Sequence, residues 1–193
     1  LTMAVKTNPA DPGYGGISMF LFPTNTPGFT VTRKLHKLGN RASDTAELSF
    51  EDCRVHKRYL LGEEGKGFYY VMEGFQYERL AGAIGSLAGS FHVFEKALEY
   101  AKQREVFGKP VIKWQANAHK MADLATELEA AKALVYHCAE MVANGENAIR
   151  EVSMCKLFVG ELSCKLVDRC LQLYGGYGYM EEYPIARAFR DTR

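Results

Sequence analysis

A carboxylate beside a stripe of bare backbone is the first place in this sequence where chemistry could be done. Glu78, in YERL, is followed by Gly82, Gly85 and Gly89, at steps of four, three and four. On a helix those positions share one face. Glycine inside a helix costs roughly 1 kcal/mol relative to alanine, so three in register need a reason. Two readings are open: close helix–helix packing over small residues with Glu78 a solvated charge, or a pocket wall with an acid/base group at its edge. Two other stretches could bind rather than react. REVFGKP, Arg104 to Pro110, sets a cation, an aromatic ring and a glycine turn at a helix end. Its plainer role is a C-cap whose basic residue complements the helix dipole. QLYGGYGYMEEYP, Gln172 to Pro184, interleaves glycines with tyrosines before a helix restarts, leaving backbone N–H groups able to face a phosphate or a ring edge.

One long helix must carry Glu78. Leu80, Ile84, Leu87, Phe91, Phe94, Leu98 and Ala101 alternate steps of four and three, which predicts a helix over about 66–104 buried on that face. A second is expected over about 114–143, with Met121, Leu124, Leu128, Ala131, Val135, Cys138 and Val142 as its seam and Asn144-Gly145 as its stop. A third spans about 148–174, with Leu157, Gly160, Cys164, Val167, Leu171 and Tyr174 as its seam. A fourth starts near Pro184, a residue tolerated in the first turn, and is cut short at Arg193. Residues 1–60 read as β: GISMFLFP, FTVTRKL and TAELSFEDCRV are short, β-branched and aromatic, and turn clusters separate them. The fold class is therefore mainly α, an up-down four-helix bundle with a truncated fourth helix behind a partial antiparallel β domain. Domain limits are expected at 1–60 and 61–193, with LGEEGKG as the junction where the hydrophobic period changes.

Composition narrows the function. The 193 residues are 47% apolar and 24% charged with net charge +1, which gives no basic surface for nucleic acid. No apolar run reaches the roughly 18–20 residues a membrane span needs. The five cysteines, Cys53, Cys138, Cys155, Cys164 and Cys170, match no C-x-x-C pair and read as reduced, buried thiols of an intracellular soluble protein. The five histidines have no metal-ligand spacing, so no metal site is expected. The first residue is not Met and falls within a strand-like segment, so the chain is expected to be a piece of a longer protein.

Taken in order, LHKLGNRASDTAELSFEDCRV, LLGEEGKGFYYVMEGFQYERL, QREVFGKPVIKWQ and LQLYGGYGYMEEYPIARAFRD resemble the acyl-CoA dehydrogenase family, from about Gly16 onward. The GFYY…ERL segment looks most like the long-chain branch. The resemblance implies that residues 1–60 are the later part of the family's middle β domain and that 66–193 are most of its C-terminal helical bundle. It implies FAD as cofactor, an acyl-CoA substrate, a homodimer or homotetramer, and electron-transferring flavoprotein or a similar acceptor as partner. The compartment it implies is bacterial cytoplasm or mitochondrial matrix.

Roles carry over residue by residue. Arg104 matches the arginine that reaches the FAD pyrophosphate of a neighbouring subunit; a guanidinium suits that group because its planar donors stay charged. Phe107 and Gln115 match a ring and an amide on the same FAD, and Gln172 and Gly176 match helix-end contacts to its adenine half. Many members place the catalytic base on a Y-E-G-T segment that these residues do not include. The long-chain and isovaleryl branches use a glutamate on the first bundle helix, and Glu78 holds that position. The resemblance thus favours Glu78 as the base that takes the α-proton while the β-hydrogen leaves as hydride. Arg79 matches an arginine beside the pantetheine arm, an ion pair within the bundle being its structural alternative. Gln76 stands where medium-chain members have Asp. Two competing functions are a flavin oxidase on the same scaffold, whose aspartate base Glu78 argues against, and a non-catalytic helical oligomerisation module, which would leave REVFGKP and QLYGGYGY without purpose.

Overall fold

The computed structural model describes residues 1–193, which divide into two compact units. The first comprises Leu1–Lys37 and Arg41–Tyr77. Its strands are β1 (Thr2–Lys6), β2 (Ile17–Leu21), β3 (Phe29–Lys34), β4 (Ala46–Phe50) and β5 (Leu60–Leu61). β2 pairs antiparallel with β1, Thr2 opposite Leu21, and with β5, Met19 opposite Leu61. β3 and β4 form a separate antiparallel ribbon, Phe29 opposite Phe50. Phe22, Phe29 and Phe50 meet at ring-centroid distances of 5.2–5.3 Å. Ser18, wholly buried, shares a 2.7 Å hydrogen bond with Thr7 and accepts the Gly65 N–H at 2.9 Å. Buried hydroxyls are tolerated when paired in this way.

The second unit comprises Leu38–Asn40 and Glu78–Arg193. Helix α1 (Gly67–Gln103) begins in the first unit and continues in the second. α2 (Gln115–Ala143), α3 (Ile149–Leu173) and α4 (Pro184–Thr192) follow. Between α1 and α2 lies a hairpin, β6 (Glu105–Val106) with β7 (Lys109–Pro110), so the chain after residue 66 is not all helix. Gly145 (φ +74°) and Gly175 (φ +59°) take the left-handed conformation just past α2 and α3, where a glycine ends a helix without a Cβ clash.

The helical core holds one seam from each long helix. On α2 it is Met121, Leu124, Leu128, Ala131, Val135 and Cys138, all buried as the spacing predicts. On α1 the buried side is Leu80, Ala83, Leu87, Ser90, Ala97 and Ala101, and Ile84 is exposed. The expected α1 face therefore needs correction at Ile84, since small residues carry much of the real one. The α3 seam needs a larger correction. Val152, Cys155, Val159, Leu162, Leu166, Val167, Cys170 and Leu173 are buried, whereas Leu157 is 67% exposed. A paired polar contact crosses this core, the Ser90 hydroxyl donating to Ser163 Oγ at 2.9 Å.

All five cysteines are free thiols. Burial pushes Cys170 up to about 12 and Cys155 up to about 11, the neighbouring Cys138 adding to the latter. A thiol reagent at pH 8 is therefore expected to label Cys53 and Cys164, which are half-buried, and to leave Cys138, Cys155 and Cys170 untouched until denaturant is added. Mass-spectrometric mapping of the adducts checks this. Labelling of the latter three at free-thiol rates in the folded protein would contradict the packing.

Candidate functional site

α1 ends by handing its backbone directly to the hairpin. The Arg104 N–H still donates to the Tyr100 carbonyl at 2.8 Å, and its own carbonyl accepts the Val111 N–H at 2.8 Å. That fixes Arg104 from both sides. Beyond it the chain reverses over Phe107 (φ +51°) and Gly108 (φ +78°). Two successive left-handed residues make the turn that suits the twist of a two-residue hairpin. Phenylalanine there costs about 1–2 kcal/mol. The residue is 94% exposed, and its ring meets the Trp114 ring edge-on at 6.3 Å. REVFGKP is therefore a hairpin rather than the plain C-cap of its simpler reading.

Arg104 comes from one stretch and Gln172 and Gly176 from another, and the fold places all three on one open cavity of about 520 Å³. Val106, Val111, Tyr174, Gly175, Tyr177 and Met180 complete much of its lining. Arg104 is exposed and carries no side-chain hydrogen bond or ion pair, its guanidinium lying 5.7 Å from the centroid of the Tyr177 ring. A Cβ added at Gly176 would meet nothing within 4 Å. The wall behind is aromatic: Tyr100 stacks on Tyr174 at 4.0 Å, and Tyr177 on Tyr183 at 5.0 Å. Burial raises the Tyr100 phenol, and the positive charge of Arg104 pulls it partly back. A cation with free donors, an accessible glycine backbone and flat rings form a chemical fit for a dinucleotide, whose phosphates need donors and whose base needs a flat surface.

Phe107 and Gln115 do not line that cavity. They stand together nearby in sequence, Gln115 exposed as the first residue of α2 and adjacent to Trp114, on which Phe107 leans. Lys109 Nζ lies 3.7 Å from the Trp114 ring centroid, and the buried indole N–H has no hydrogen-bond partner. Sequence reasoning passes over Trp114. The one signal is its place immediately before Gln115.

Glu78 is exposed on α1. Of the stripe beside it, Gly85 and Gly89 face open space, and a Cβ at Gly82 would meet Lys156 Cε at 3.6 Å. No other helix presses on Gly85 or Gly89, so close packing does not account for the glycines there. Arg79 shares a second cavity, of about 310 Å³, with Lys156, Gly160 and Glu161. Gln76 stands on the part of α1 that belongs to the first unit, and its side-chain oxygen is buried without a hydrogen-bond partner. No group of three or more His, Cys, Asp or Glu is placed to hold a metal ion. No helix is long and apolar enough to cross a membrane.

Comparison with known proteins adds the following. Residues 65–193 match the family model described as acyl-CoA dehydrogenase, C-terminal domain, and residues 1–53 match acyl-CoA dehydrogenase, middle domain. An acyl-CoA dehydrogenase of Bacillus subtilis is 43% identical over 183 residues, covering 95% of this chain and 48% of the relative. The mitochondrial long-chain specific acyl-CoA dehydrogenase of Sus scrofa is 43% identical over 193 residues, covering 100% of this chain and 45% of the relative. The crystal structure of acyl-CoA dehydrogenase from Geobacillus kaustophilus superimposes with a TM-score of 0.97 at 44% identity, covering 99% of this chain and 50% of that one. The chain thus spans about half the length of the curated relatives it matches.

Proposed function

Because the chain belongs to the acyl-CoA dehydrogenase family, we propose that the protein carrying it introduces an α,β double bond into acyl-CoA thioesters with FAD as cofactor. The observation that carries this reading is the convergence of Arg104, Gln172 and Gly176 on one open cavity. Arg104 lies on a segment far in sequence from the one that holds Gln172 and Gly176, and a helical scaffold alone has no need to bring the two segments together.

In this reading Arg104 binds the pyrophosphate of FAD, Gln172 and Gly176 hold its adenine half, and Phe107 and Gln115 press on it from the hairpin and the start of α2. Bound FAD supplies a two-electron acceptor for the hydride leaving Cβ. Glu78 takes the α-proton into its carboxylate, and Arg79 and Gln76 flank the pantetheine arm. The bare backbone at Gly85 and Gly89 gives the acyl chain or the flavin room to lie against α1. A base held in place and a site closed to water are what such proton removal demands of a protein. The domain limits at 1–60 and 61–193, a homodimer or homotetramer in which Arg104 serves a neighbouring subunit, and electron-transferring flavoprotein as acceptor belong to the same reading. So does a bacterial cytoplasmic or mitochondrial matrix setting.

The complete polypeptide is expected to purify yellow, and its flavin absorption to bleach when acyl-CoA is added without oxygen. Colourless protein that takes up no FAD would defeat the proposal. Flavin that stays oxidised with every acyl-CoA yet bleaches with a nitroalkane or amino-acyl substrate would favour the oxidase alternative.

A further inference from the structure

Arg104 is the one cation on the 520 Å³ cavity, and its guanidinium lies over a ring at 5.7 Å from the centroid. No carboxylate pairs with it, and its backbone is pinned by the Tyr100 carbonyl and the Val111 N–H. The ring belongs to Tyr177, inside the short turn Gly175–Tyr179 that follows α3. Tyr177 is itself braced: it stacks on Tyr183 at 5.0 Å and 22°, and Tyr183 meets Tyr174 edge-on at 6.0 Å and Tyr100 at 6.3 Å. This chain of rings ties the turn to the end of α1, which carries Tyr100 and is followed directly by Arg104.

We propose that Tyr177 is a positioning residue that holds the Arg104 guanidinium over its ring and presents the N–H donors to a diphosphate in the cavity. The idea rests on the FAD assignment of Arg104 above. Three physical points carry it. A carboxylate partner would fix an arginine equally well, but it would occupy the donors and cancel the charge a diphosphate needs. A ring face attracts the cation through its quadrupole and leaves the in-plane donors free. An exposed arginine without such support would lose side-chain freedom on binding, and holding it beforehand removes part of that cost. Tyr177 is 46% exposed, so its ring is not a core element whose loss would unfold the turn.

The test uses the complete polypeptide stripped of flavin and titrated with FAD and, separately, with riboflavin, which lacks the diphosphate. Tyr177→Leu is expected to weaken FAD binding about three- to thirty-fold, the range of a cation–ring contact. Tyr177→Phe and Tyr177→Trp keep a ring and are expected to restore it. Riboflavin affinity should move in none of them. In an Arg104→Gln background, which should itself weaken FAD, Tyr177→Leu should add nothing further. If Arg104→Gln binds FAD like wild type, the cofactor assignment fails. If Arg104→Gln weakens FAD but Tyr177→Leu does not, only the positioning role fails. Equal losses for FAD and riboflavin, or failure of the Phe and Trp variants to rescue, would assign Tyr177 a merely structural role and also overturn it.

Discussion

Glu78→Gln is expected to abolish acyl-CoA-dependent bleaching of the flavin while leaving FAD bound. The substitution preserves size and most hydrogen-bonding capacity and removes only the ability to accept a proton. Positioned general bases contribute roughly 10²–10⁴-fold to rate, so bleaching followed by stopped flow should slow by that order. Cofactor content should not change, because Glu78 does not line the cavity shared by Arg104, Gln172 and Gly176. Glu78→Asp withdraws the carboxylate by one methylene and should fall between the two. Bleaching at near wild-type rate in the glutamine variant would move the base elsewhere, and loss of FAD along with activity would make Glu78 structural.

The exposure of Glu78 in this chain is consistent with that role. A base must be reachable by substrate, and the Gly85 and Gly89 surface on the same helix is bare. Had bulky side chains filled that surface, the carboxylate would have been an ordinary solvated charge. The same comparison weakens the oligomerisation-module alternative, which predicts no cavity where Arg104, Gln172 and Gly176 meet.

What the sequence made legible depended on how single-valued its patterns were. α2 has one apolar stripe, and every residue of it from Met121 to Cys138 is buried. α3 carries apolar residues on more than one face, Met154, Leu157 and Phe158 being exposed, so periodicity alone fits two seams and does not separate the buried one from the other. On α1 the true core uses Ala83, Ser90 and Ala97, residues whose smallness lets helices approach but which hydropathy does not mark, while Ile84 pulls the apparent seam outward. The hairpin at 105–110 is hidden because its strands are two residues long and its turn is Phe-Gly rather than Asn-Gly. The cavity is legible only through family resemblance. Arg104 and Gln172 meet because two helix ends pack together, which no local pattern encodes. The support of Arg104 by Tyr177 is a matter of three-dimensional placement alone.

Filling the glycine stripe gives the second large effect, and it separates stability from function. At Gly85 an added Cβ meets nothing within 4 Å in this chain, and glycine is about 0.8–1 kcal/mol worse than alanine inside a helix. Gly85→Ala and Gly85→Leu are therefore both expected to raise the thermal midpoint of the helical unit. If the stripe is the wall against which flavin or acyl chain lies, leucine there displaces the reacting groups, and misplacement by an ångström can cost on the order of 10²-fold. Acyl-CoA turnover by the complete Gly85→Leu polypeptide should drop by that order, and Gly85→Ala should lose less because one methyl intrudes less. Thermal melts and turnover on the same preparations read both outcomes. A leucine variant that is more stable and fully active would show that nothing approaches this face, and the glycines would then owe their place to something other than catalysis.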